Sequence, residues 1–170
     1  MKVKSRLIWL AAALLILAAA AAFVAFPSAA DAYLNATTRP AYGPPSARAR
    51  QLHSRLRISD LHADTLLWDR DLLARSSLGH VDLLRLQEGN VALQAFTVVT
   101  KVPRRINIER NTDDSDLISL LALTSFWPVR AWTSLRERAL YQSSRLAEAA
   151  GRSKGMLRLI RTAEDLEAFL

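Results

Sequence analysis

The sequence of 170 residues contains no cysteine, which excludes a disulfide-stapled scaffold and any zinc site built on thiolates. Clustered charge is also missing. The 23 Lys and Arg exceed the 16 Asp and Glu, but stretches such as Arg136-Glu137-Arg138 interleave the two signs. A nucleic-acid surface wants grouped cations with aromatics between them, so these charges read as a solvated, mixed surface with no nucleic-acid partner. Nineteen of the basic residues are arginine, beside abundant Ala and Leu, a bias that looks like codon composition as much as function. No internal repeat is visible. Length is short too. With the first forty residues set aside as an export or anchoring segment, about 130 remain, enough for one domain. A complete (β/α)8 barrel needs roughly 250.

What is present begins at the amino terminus. Leu7 to Phe26 is a run of twenty residues without a charged or polar side chain, preceded by Lys2, Lys4 and Arg6. At about 1.5 Å of rise per residue such a helix matches a hydrocarbon core of about 30 Å. Basic residues on the upstream side predict a cytoplasmic amino terminus and a domain outside the cytoplasm, periplasmic or extracellular. The alternative is a cleaved signal peptide, since Ala30-Asp31-Ala32 forms an A-x-A-like site. Secretory apolar regions run about 7–15 residues, so the length favours an uncleaved anchor. A buried soluble helix should not be apolar all round behind a basic collar. The segment 1–26 is therefore read as anchor or signal peptide, 27–56 as linker and lead-in, and 57–170 as the domain. Asn35-Ala36-Thr37 is a glycosylation sequon, informative only in a host that glycosylates.

Along the domain, Ala47 to Leu56 predicts a short helix. Ile58 to Asp64 predicts a strand with Ile58, Asp60, His62 and Asp64 on one face. Thr65 to Ala74 is leucine-rich at helical spacing. Asp82 is placed to cap a helix ending before Gly89, and Val91 to Thr100 carries the clearest strand composition. Asp114 or Ser115 is expected to cap an apolar helix halted before Pro128. Ser134 with Glu137 forms a capping box for a long helix ending near Gly151. Met156 to Ile160 predicts a third strand, and Thr162 with Asp165 opens a last helix. The pattern is α/β with a parallel sheet.

The chemistry-bearing pattern is His62-Ala63-Asp64. At i and i+2 on a strand, an imidazole and a carboxylate point to the same side and can grip one metal ion. The strand's C-terminal end is where sites are built in parallel α/β sheets. The plainer alternative is a hydrogen-bonded His beside a helix-capping Asp. With three His and ten Asp, a chance H-x-D arises about once in six such chains, and His80-Val81-Asp82 is a second one, read as structural because Asp82 sits at a helix start. Trp68, Trp127 and Trp132 read as core side chains ahead of pocket lining.

The run Ile58-Ser59-Asp60-Leu61-His62-Ala63-Asp64-Thr65-Leu66-Leu67-Trp68, then Gly79-His80-Val81-Asp82-Leu83-Leu84-Arg85-Leu86-Gln87-Glu88-Gly89-Asn90-Val91 and Gln94-Ala95-Phe96, resembles the amino-terminal part of the membrane dipeptidases, in its bacterial branch. These are renal-dipeptidase-like zinc peptidases of the amidohydrolase barrel type. Their first strand ends in a D-x-H-x-D pattern, matched here by Asp60, His62 and Asp64. The resemblance covers about residues 57–170 and implies the first three or so strand–helix units of a (β/α)8 barrel. It implies two zinc ions in the complete enzyme, one of them held by His62 and Asp64, a bridging glutamate and two later histidines. It further implies hydrolysis of a dipeptide substrate by a metal-bound hydroxide. Asp60 is the candidate for orienting the ligands from behind, with an ordinary barrel-floor hydrogen bond as the other reading. Glu164 and Glu167 are poor candidates for the bridge, because acids at a helix start serve the macrodipole. His53 and His80 do not stand where the later histidines belong. The 170 residues are expected to be the start of the enzyme and inactive alone. Two other readings stay open: an anchored binding protein that keeps the opening strands without catalysis, and a related metal-dependent amidohydrolase acting on other amides or lactams.

Overall fold

A computed structural model describes residues 2–38 and 42–169; Arg39, Pro40 and Ala41 of the expected linker lie outside the described residues, as does Leu170. The fold mixes helices with two parallel strands. In chain order the elements are α1 (Lys2–Leu34), α2 (Ala47–His53), β1 (Ile58–Ala63), a 3₁₀ turn (Thr65–Leu67), α3 (Leu83–Glu88) and β2 (Val91–Phe96). They continue with α4 (Leu117–Thr124), a second 3₁₀ turn (Val129–Ala131), α5 (Leu135–Arg152) and α6 (Ala163–Phe169).

α1 is longer than the apolar run. Its exposed Leu and Ile side chains between Leu7 and Leu17 give one helix long and apolar enough to span a membrane or to act as a signal sequence. The expected linker at Pro27 is corrected: the helix passes through Pro27 and ends at Leu34. Proline removes one backbone donor, yet the helix continues for about two more turns that lie against the domain. Val24, Pro27, Ser28 and Asp31, a stripe at helical spacing, line a cleft with Leu121, Thr124 and Phe126 of the α4 region. Asp31 is buried, its Oδ2 3.4 Å from Nε of Arg70, and its Oδ1 accepts from Asn35 Nδ2 at 2.8 Å. The sequon asparagine is thus engaged inside the fold.

β1 and β2 pair in parallel, with Asp60 opposite Gln94 and Ala63 opposite Phe96. α3 lies in the crossover between them, capped by Asp82, whose Oδ1 accepts from Arg85 N at 2.9 Å. The same carboxylate takes Ser76 N at 3.0 Å and Arg85 Nε at 2.7 Å, and the residue is 1% exposed. The structural reading of His80-Val81-Asp82 holds. Gly79 precedes it with φ +62, and a Cβ there would stand 2.2 Å from Nη1 of Arg70. The left-handed turn favours glycine, and the Arg70 guanidinium, donating to Leu78 O, fills the space a side chain there would take.

The core sits beside the sheet. Leu67, Ile118, Leu121, Ala122, Trp127 and Ala131 form it, with Trp68, Val99, Trp132 and Tyr141 packed against them. All three tryptophans therefore serve packing, Trp127 at 3% exposure, and Trp127 and Tyr141 rings meet at 4.9 Å. Leu61 on β1 stays largely exposed.

Several sequence expectations are corrected by capture of backbone groups by side chains, some distant and some local. The strand expected to reach Thr100 stops at Phe96. Beyond it, Gln142 of α5 accepts from Val99 N and donates to Val99 O, both at 3.0 Å, and Arg138 Nη1 donates to Thr100 O at 2.6 Å. The third strand expected at Met156–Ile160 does not form, and the described residues hold only β1 and β2. There the Ser153 hydroxyl accepts from Leu157 N at 3.0 Å and donates to Ala150 O at 2.8 Å, with Leu157 O 3.2 Å away. The helix expected over Thr65–Ala74 shrinks to a 3₁₀ turn, because Arg145 Nη1 holds the Leu66 carbonyl at 2.9 Å, the group a continuing helix would need. The cap of α4 is Asp116, not Asp114 or Ser115, accepting from Ile118 N at 2.9 Å.

The largest departure concerns Arg138, read from sequence as part of a solvated surface. It is 0% exposed. Its Nε donates to Ala131 O at 2.8 Å, and Nη1 to Thr100 O and Asp116 Oδ2. Nη2 donates to Ser119 Oγ at 2.8 Å and to Trp132 O. All five guanidinium N–H donors are thereby used. Arg138, Gln142, Arg145 and Ala149 lie along one inward stripe of α5, so this helix buries a polar face that grips the segments following β1 and β2. Ser134 caps α5, accepting from Glu137 N at 3.3 Å. Thr162 and Asp165 make the expected box at α6, with Asp165 N donating to Thr162 Oγ1 at 3.1 Å and Thr162 N to Asp165 Oδ2 at 3.0 Å.

Candidate metal site at the end of β1

β1 delivers His62 to the C-terminal edge of the sheet, and Asp64 follows one residue past the strand's end. His62 Nε2 lies 3.3 Å from Asp64 Oδ2, with the two side chains 70% and 45% exposed. Asp64 occupies the position before the 3₁₀ turn but makes no capping hydrogen bond, so the plainer reading of a helix-capping Asp does not describe it. Its Oδ1 accepts from Thr97 Oγ1, just past the end of β2. Thr97 N in turn donates to Ala63 O at 3.0 Å, which holds the two strand ends together. The two H-x-D patterns thus meet opposite fates. Asp82 is enclosed and committed to α3, whereas His62 and Asp64 converge in the open.

Asp60 lies behind this pair. Its Oδ1 accepts from the His62 backbone N at 3.1 Å, so it steadies the strand under the imidazole without touching the ring. That amide bond, with the Gln94 side chain beside it, holds the Asp60 carboxyl below the usual carboxylate range. Gln94 Nε2 donates to the carbonyls of Asp60 and Ala95 at 3.4 and 3.1 Å, while its Oε1 is enclosed with no partner. Thr97 and Gln94 were not singled out in the sequence. Their spacing from Val91 marks the strand, but only the register of β2 against β1 brings them to Asp64 and Asp60.

The other titratable candidates lie elsewhere. His53 Nε2 sits 2.9 Å from Gly89 O, beside the start of β2 and so at the opposite end of the parallel pair. His80 is exposed next to the buried cap of α3. Glu164 and Glu167 are exposed on α6. That helix is tied back by Arg57, which precedes β1, donates to Phe169 O at 2.8 Å and lies 5.0 Å from its ring. Among the described residues no three His, Cys, Asp or Glu side chains gather as a metal cluster. A cleft of about 590 Å³ runs along β2 past Leu86, Ala92, Gln94 and Leu157, and its lining excludes His62 and Asp64.

An imidazole nitrogen and a carboxylate oxygen are suitable zinc donors, but a catalytic zinc takes three protein ligands and a structural one four. The pair therefore fits one edge of a coordination sphere. Comparison of the chain with family models, with curated proteins and with solved structures gives no match in any of the three. A functional reading accordingly rests on the residues and their geometry.

Proposed function

We propose that this chain carries the opening part of a membrane-anchored, zinc-dependent dipeptidase, with His62 and Asp64 as ligands to one of two zinc ions. The observation that carries the reading is the exposed His62–Asp64 convergence at the C-terminal end of a parallel strand, with the Asp64 carboxylate not committed to a cap. In this reading β1–α3–β2 is the first unit of a (β/α)8 barrel whose active-site mouth lies at the strand ends. Zinc held there supplies a Lewis acid and brings the pKa of water to about 7. The chain's own part is to present His62 through Nε2 and Asp64 through Oδ2. Thr97 holds the second Asp64 oxygen and Asp60 fixes the His62 amide, an outer layer of the kind that orients metal ligands. His62 and Asp64 would be two of the donors, and the bridging glutamate and later histidines that the resemblance implies do not join them among the described residues.

α1 serves as an uncleaved anchor that holds the domain outside the cytoplasm. Cleavage after Ala32 would part Asp31 from Arg70 and leave that half-buried guanidinium without its carboxylate. The test is hydrolysis of dipeptides by the native product isolated from its host membranes, because the 170 residues alone are expected to be inactive. Activity should vanish on chelation, return with zinc, and be lost in His62→Ala and Asp64→Ala. Hydrolysis that survives both substitutions sinks the assignment. The shortage of a third donor favours one rival, an anchored non-catalytic binding protein, which predicts a folded membrane protein with no zinc-dependent hydrolysis at all.

A further inference from the structure

α4 ends in a Schellman arrangement: Trp127 N donates to Ala122 O at 2.9 Å and Phe126 N to Leu123 O at 3.2 Å. The residue between cap and exit adopts the left-handed conformation that glycine usually provides. Here it is Phe126, with φ 54. A bulky side chain in that conformation is strained, and the domain's own packing does not account for it, because Phe126 is 69% exposed. Its recorded ring contact is Phe23 of α1, edge-on with centroids 6.1 Å apart.

Phe23 lies three residues before the end of the apolar run at Phe26, about 4.5 Å inside it along the helix axis. The contact is not isolated, since Val24, Pro27, Ser28 and Asp31 of α1 also border the α4 terminus. The Asp31–Arg70 pair locks the same approach. With α1 docked through these contacts, its position sets the depth of the loop that follows α4. Buried Trp127 roots that loop, while Val129 beyond it is 70% exposed. The Arg130 side chain, next in sequence, is 84% exposed, with its Nε 3.8 Å from Glu137 Oε2 and the outer guanidinium nitrogens toward solvent.

We propose that residues 125–130 form an interfacial foot, which places Phe126 and Val129 in the acyl–headgroup boundary of the leaflet where α1 emerges. Interfacial elements bury apolar groups about 5–10 Å into that boundary, a depth compatible with a ring beside Phe23. Arg130 follows with an aliphatic stem that can lie along the lipid and a guanidinium for the phosphates. The foot gives the domain a second point of support, so that the strand ends carrying His62 and Asp64 keep a fixed orientation to the lipid surface. The inference rests on α1 being an uncleaved membrane span.

The absence of native cysteine makes site-specific labelling direct. Single variants Phe126→Cys, Val129→Cys, Leu15→Cys and Ile108→Cys of the full chain carry an environment-sensitive fluorophore in vesicles of phosphatidylcholine and phosphatidylglycerol. Labels at 126 and 129 should shift to the blue and lose emission to shallow brominated lipid. The label at Ile108, fully exposed in the structure, should respond only to an aqueous quencher. A label at Leu15 that meets lipid while 126 and 129 behave like 108 overturns the foot and leaves the anchor standing. A label at Leu15 that stays in water overturns the anchor, and the foot with it.

Discussion

Replacing Arg138 by Met keeps most of the side-chain volume and removes every donor. The guanidinium now satisfies three carbonyls, the Ser119 hydroxyl and the Asp116 carboxylate at 0% exposure. Removing one partner of a buried ion pair destabilises by about 3–5 kcal/mol, since the other charge is left uncompensated. Carbonyls left without donors add about 1 kcal/mol or more each where water cannot follow. The ion-pair share alone, about 4 kcal/mol, is already a large part of the 5–15 kcal/mol typical of a domain. For about 130 residues it corresponds to a fall in Tm on the order of 15 °C. Thermal unfolding in detergent, followed by the fluorescence of neighbouring Trp127 and Trp132, reads the effect directly. Arg138→Lys should recover only part, because an ammonium offers three donors from one point and cannot fork to Asp116 and the carbonyls together. Adding Asp116→Asn to Arg138→Met should restore about 1–2 kcal/mol by removing the stranded charge. A loss below about 1 kcal/mol for Arg138→Met, or a lysine variant as stable as the parent, would refute the account of α5 as a polar spine.

Acid should weaken the fold through the same carboxylates. Burial alone would raise Asp82 and Asp116. The hydrogen bonds from Ser76 N and Arg85 to the first, and from Arg138, Ser119 and Ile118 N to the second, outweigh it and hold both below their usual values. The unfolded chain then takes up these protons first, so their contribution is complete above about pH 4 and is lost as pH falls through the folded values. Tm measured from pH 6 downward should drop in that range and do so less steeply in Asp82→Asn; a flat profile contradicts the assignment. Phe126→Gly should leave stability unchanged or raise it by about 0.5–1 kcal/mol, since glycine fits the left-handed position without strain. A clear destabilisation in detergent would mean that the ring supports the fold itself.

Much of the local structure was legible because it depends on neighbours in the sequence. Twenty apolar residues behind a basic collar specify a helix of membrane length whatever follows. Asp82, Ser134 and Thr162 cap the helices expected of them, because a capping side chain and its amide lie within three residues. Composition marks strands at Ile58–Asp64 and Val91–Thr100, which the structure ends at Ala63 and Phe96, and the alternation of β1 puts His62 and Asp64 on one side. The convergence of that pair needs only two residues of chain.

Tertiary structure decided the rest. Whether Met156–Ile160 pairs as a strand, where β2 stops and how far the turn after β1 runs all depend on which groups meet the backbone. The α5 side chains Gln142 and Arg145 reach those groups after β2 and β1 from far along the chain, while at Met156–Ile160 the Ser153 hydroxyl takes the Leu157 amide locally. Arg138 reads as surface because a charge is normally solvated; five acceptors, one of them Thr100 O far back along the chain, make its burial tolerable. Pro27 reads as a helix end until α4 packs against it, and Thr97 and Gln94 join Asp64 and Asp60 only through the β1–β2 register. Periodicity reports what a segment prefers alone, whereas the partners of its polar groups are set by the distances that folding closes.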